Sequence, residues 1–172
     1  QQLVVGEGNV EGLLTGTIAE LGENMQILNS RKMEISHGTF GGYIHSNGKI
    51  GVAVPLETDQ PCDDERLETL ARDIAMHIAA FPSEAVKADQ VSTEVLEKEK
   101  EIFTAQARES GKPENIIEKM IDGRLNKFLK EICVESQPFV KDPQVSVRQL
   151  VEKTAKELGV KINFSTFEKY QF

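Results

Sequence analysis

Tryptophan is absent, and only two tyrosines are present among 172 residues. So few flat side chains argue against a platform on which nucleic-acid bases stack. Basic residues are outnumbered, 20 Lys and Arg against 28 Asp and Glu, for a formal net charge of −8. A phosphate backbone is gripped by a basic face, so this balance argues against a nucleic-acid binder. Two cysteines, Cys62 and Cys133, lie far apart. They are too few for a structural zinc cluster or a secreted disulfide framework, and read as free thiols of a reducing compartment. No apolar run is long enough to span a bilayer, and the first residues lack a basic-then-apolar signal pattern. With 39% hydrophobic residues, 28% charged residues and no low-complexity tract, a folded, soluble chain of one domain or two small subdomains is expected.

Residues 9–22, "NVEGLLTGTIAELG", read as a short helix ending at Gly22. Residues 25–35 follow with an imperfect period of two, which predicts a strand. Nothing before it offers a pairing partner, so it pairs either with the following sheet or with strands further toward the N-terminus. In "TFGGYIHSNGKIGVAVPL" two β-rich runs flank Asn47-Gly48, which predicts a hairpin of strands 39–46 and 49–55 around a type I′ turn. Pro55 is expected to close it.

Helices follow. The first runs from the acidic loop to Pro82, with Leu67, Leu70, Ala71, Ile74, Ile78 and Phe81 on one stripe. His77 falls about 60° from the centre of that stripe, which places it at the border of the apolar face. Ser92 is a suitable N-cap for the second helix. A third starts at Pro113 and carries Ile117, Ile121, Leu125, Phe128 and Ile132; a fourth starts at a Ser146/Gln149 capping box. Near-heptad spacing predicts that these last two pair as an antiparallel helical hairpin. "VKINFSTFEKYQF" closes the chain as a strand. The fold class is α+β: a small antiparallel three-stranded sheet covered by helices.

Catalytic constellations are scarce. No Gly-rich phosphate loop or His-Glu-x-x-His pair occurs. His37, His45 and His77 are three imidazoles able to hold a metal if the fold brings them together, but their chain positions place them on different parts of the sheet. Asp73, one turn before His77, lies within reach of a hydrogen bond to it, yet no nucleophile elbow accompanies the pair. Binding is the better class. Gly51 beside Ile50 lets a partner backbone approach the sheet, although both also read as ordinary strand residues.

The stretches "GGYIHSNGKIGVAV", "ARDIAMHIAA" and "SGKPENIIEKMIDGRLNKF", followed by "QPFVKDPQVSVRQL", resemble the elongation factor Ts family, and the likeness covers nearly the whole chain. The resemblance implies a guanine-nucleotide exchange factor for elongation factor Tu, not an enzyme, with no cofactor and no metal. It implies residues 1–36 as the end of one core subdomain and 37–172 as a second, with a coiled-coil insertion at about 113–158. It implies Ile50, Gly51 and His77 as contacts to elongation factor Tu, and no nucleic-acid or membrane partner. Bacterial cytoplasm is the implied location, an organelle the lesser alternative, and a homodimer stays open. The family's "TDFVA" motif is nowhere in the sequence, so the chain reads as a C-terminal fragment whose exchange activity alone is in question. A non-catalytic helical scaffold and a histidine-dependent metalloenzyme are the competing classes.

Overall fold

The computed structural model describes residues 4–5, 8–109, 111 and 113–172. They form two units, Gln1–Glu34 and Ile35–Phe172.

In the first unit, β1 (Val4–Val5) and β2 (Gly8–Asn9) form a two-residue antiparallel ladder. Helix α1 (Val10–Leu21) follows, its first turn capped by Asn9 Oδ1, which accepts the Gly12 N–H at 2.7 Å. Gly22 closes it by donating to the Ile18 carbonyl at 2.9 Å. The strand predicted for 25–35 does not form, and these residues run without regular structure. Alternation supplies only a preference; a strand also needs a neighbour to take its backbone hydrogen bonds. Ile27 and Leu28, near its start, are 51% and 68% exposed.

The second unit is built on a β-hairpin. Strands β3 (Gly38–Ile44) and β4 (Ile50–Thr58) pair antiparallel, with Ile44 opposite Gly51 and Gly41 opposite Val54. The turn differs from the expected type: only Gly48 has positive φ, at 68°, and its N–H donates to the His45 carbonyl at 2.8 Å. Asn47 instead uses its side chain, accepting the Lys49 N–H at 2.9 Å. Pro55 does not end β4, which continues to Thr58. Counting from the Thr58 N–H, which donates to the His37 carbonyl, even-numbered β4 residues bond toward β3 and Pro55 turns its missing donor the other way. There it meets no strand, because β8 (Glu168–Gln171) pairs with residues 50–53 and β7 (Ile162–Asn163) with residues 57–58. The sheet thus has three ranks, the third split in two. The predicted single closing strand is interrupted because Phe164 turns into the core and the Ser165 carbonyl accepts from Gln90 Nε2 at 2.8 Å.

Helix α2 (Glu65–Ala80), N-capped by Asp64, covers one face of the sheet. Val52, Val54 and Leu56 of β4 pack against its Leu67, Leu70, Ala71, Ile74 and Ile78. Contact is so close at Gly41 that an added Cβ would lie 2.2 Å from the Ala71 carbonyl carbon; only glycine fits.

Helices α3 (Thr93–Arg108) and α4 (Glu114–Ile132) pack against each other around Ala107, Ile117 and Ile121, a cluster separate from the core, with Phe103 edge-on to Phe128 at 6.4 Å. The expected pairing of α4 with the following helix is therefore corrected. A short hairpin, β5 (Pro138–Phe139) with β6 (Asp142–Ser146), intervenes, and α5 (Val147–Leu158) packs on α2 instead. The α5 capping box forms as predicted, Gln149 N–H to Ser146 Oγ at 3.2 Å and Ser146 N–H to Gln149 Oε1 at 2.8 Å. Loop length explains the error: the turn between α3 and α4 is shorter than the 133–146 segment, and short connections favour antiparallel neighbours. Among the described residues, no helix is long and apolar enough to cross a membrane.

Candidate partner-binding surface

Alternation along β4 sends Ile50 and Gly51 to opposite faces of the sheet. Ile50 is half-buried and packs on the core beneath α2. Gly51 lies on the uncovered face, between Ile44 of β3 and Tyr170 of β8. An added Cβ there meets nothing within 4 Å, and the same holds for Gly42. Around them stand Ala53, Phe40 at 47% exposure and Ile44 at 75%. The result is a strip of backbone with small side chains, flanked by exposed apolar residues of β3 and by Glu168 of β8, which pairs with Ala53. Such a strip lets another main chain come closer than any side chain would permit.

His77 is not at the border of its helix. It is fully buried, and both ring nitrogens are used. The Val140 N–H donates to Nδ1 at 3.2 Å, which fixes that nitrogen as the acceptor. Nε2 therefore carries the proton and donates to Gln137 Oε1 at 2.8 Å. The ring stacks on Phe81, centroids 4.7 Å apart, and Phe139 leans on it at 6.0 Å. Burial depresses its pKa below the ordinary value, and the Gln137 bond opposes that only partly. The angular reading placed His77 relative to the sheet alone; the β5–β6 segment covers the flank of α2 and widens its buried arc.

The side chains weighed from sequence as a triad or a metal site are placed as follows. Asp73 does not reach His77: its carboxylate pairs with Lys141 Nζ at 2.7 Å. His45 Nδ1 is 3.2 Å from the Tyr43 hydroxyl, and among the described residues no three His, Cys, Asp or Glu side chains are grouped to hold a metal ion. Cys62 and Cys133 are free thiols, and burial pushes the Cys133 thiol up.

Two residues escaped the sequence reading. Lys169 of β8 points inward and donates to the Ile78 and Phe81 carbonyls at 2.8 and 3.0 Å, closing the C-terminus of α2. Burial lowers its pKa. Gln137 is buried beside His77, in a stretch whose two prolines suggested only an irregular connection. Nothing local in either sequence neighbourhood marks them.

The family model for elongation factor TS matches residues 1–171. The chain belongs to the elongation factor Ts family. Curated members named elongation factor Ts resemble it closely. The one from Trichlorobacter lovleyi is 45% identical over 163 residues, which are 94% of this chain and 52% of that protein. The one from Magnetococcus marinus is 43% identical over 163 residues, 95% of this chain and 53% of that protein. The one from Acetivibrio thermocellus is 47% identical over 138 residues, 79% and 64% respectively. The chain spans about half the length of the first two elongation factor Ts proteins.

Proposed function

We propose that this chain is a docking part of a guanine-nucleotide exchange factor, binding elongation factor Tu and promoting release of its GDP. Membership of the elongation factor Ts family across residues 1–171 carries this reading. An exchange factor makes no covalent bonds. It holds the nucleotide-free partner more tightly than the loaded one, so that factor and nucleotide weaken each other reciprocally, typically by about 5–150-fold. Such work needs a preformed surface rather than a catalytic cluster, and the strip at Gly51 suits it. Gly51 admits the partner backbone, and Ile50 anchors the same strand to the core. His77, fully buried, acts by holding the β5–β6 segment in place rather than by touching elongation factor Tu itself. The α3–α4 hairpin is the projecting coiled-coil arm of the subdomain. The proposed setting is the bacterial cytoplasm.

Gly51→Asp tests the surface. Its side chain points into open space, so the thermal midpoint stays near that of the parent while binding of the immobilised chain to elongation factor Tu is lost. Unchanged binding contradicts the reading. Capture of a helical partner with no affinity for elongation factor Tu favours the scaffold alternative, and recovery of a second copy makes the strip a dimer contact.

A further inference from the structure

We propose that Gln137 is a positioning residue which, with His77, locks the root of the α3–α4 hairpin to the core and so sets the direction in which the hairpin leaves it. The hairpin departs after residue 91 and returns at Ile132, and its two legs are joined just outside the helices. Glu84 N–H donates to the Ile132 carbonyl at 3.0 Å, Val134 N–H to Ala85 at 3.0 Å and Glu135 N–H to Val86 at 3.1 Å. Ala85 and Cys133 thus form a parallel bridge between the legs. Gln137 ties this root to α2. Its Nε2 donates to the Pro82 carbonyl and to the Glu131 carbonyl, each at 2.6 Å, one from either leg. Its Oε1 accepts the His77 proton at 2.8 Å, and its backbone carbonyl accepts the Val147 N–H of α5 at 3.1 Å.

The Gln137 side-chain amide therefore joins the end of α2 to the end of α4, and its backbone carbonyl adds the start of α5. Its proton assignment is unique: Val140 makes His77 a donor at Nε2, which orients the Gln137 oxygen inward and both amide hydrogens toward the two carbonyls. No other assignment satisfies all five groups. The hairpin itself is held by its own apolar cluster and by Arg124, which bonds Gln106 at 2.6 Å and lies over Phe103. Loss of the lock would therefore release the arm as a rigid rod swinging about its root. The consequence for elongation factor Tu rests on the function proposed above; the orientation itself does not.

Spin labels at Glu68→Cys on α2 and Glu101→Cys on α3, in a Cys62→Ser background, report that direction as a distance distribution. The parent gives one narrow distance, and Gln137→Leu roughly doubles its width while helix content is retained. His77→Gln, which keeps a donor near the place of Nε2, preserves the narrow distance, whereas His77→Leu broadens it. A parental distribution in folded Gln137→Leu overturns the proposal. Amide exchange on the unsubstituted network tests it without any core variant: residues 132–137 exchange more slowly than the middle of α3, and faster exchange at the root overturns the lock. If the arm broadens yet no variant changes affinity for elongation factor Tu, the lock stands and its link to that partner fails.

Discussion

His77 carries two predictions. Its ring is neutral in the fold and its pKa is depressed by burial, whereas in an unfolded chain it titrates near 6.5. Below that value the unfolded state binds a proton that the folded state resists, so His77's contribution to stability is complete above about pH 6.5 and declines as pH falls. Protonation of Nδ1 would set one donor against the Val140 N–H. Urea titrations from pH 7.5 to 5 therefore show a decline that is shallower in His77→Gln, and equal slopes in both would disprove the assignment. His77→Leu leaves Gln137 Oε1 and the Val140 N–H without partners, at about 1–3 kcal/mol for each group. Loss of stability, not merely of binding, is the expected signature. That reverses what the helical wheel implied. Residue identity and helix membership were legible for His77, but its burial depended on a β5–β6 hairpin that two prolines disguised.

Among the elements, β3, β4 and the helices were legible because turn chemistry, caps and periodicity are local. Pairing between elements was not. The lone strand at 25–35 and the α4 partner both failed because alternation and heptad spacing say which face is apolar, never which neighbour covers it. Gly41 and Gly51 show the same limit within one sheet. Both read as strand glycines, yet Gly41 meets the α2 backbone and Gly51 meets nothing. Gly41→Ala is predicted to destabilise by about 3 kcal/mol through overpacking against a backbone that cannot yield. Gly51→Ala is predicted to lie within about 0.5 kcal/mol of the parent. Parallel denaturant melts decide the matter, and comparable losses at the two sites would refute the assignment of the two faces. Replacing residues 93–131 with a short Gly-Ser linker should leave the remainder folded, since the apolar cluster of the hairpin is separate from the core. A broad, non-cooperative melt of that variant would show instead that the hairpin is part of one folding unit.

For the whole molecule, the acidic composition argues against a nucleic-acid partner, and membership of the elongation factor Ts family supports the proposal that the chain works by binding. The family was legible from residues 110–128 and 137–150 as a pattern of sequence; of the proposed docking strip only Gly51 and Ile50 were, because which strand residues the helices leave uncovered is decided by packing. The use proposed for that strip requires a partner whose shape changes with its nucleotide. The most direct measurement is the affinity of this chain for elongation factor Tu emptied of nucleotide, compared with the same partner saturated with GDP. Binding to the empty form is expected to be tighter by about 5–150-fold. Equal affinity for the two forms would contradict the proposal.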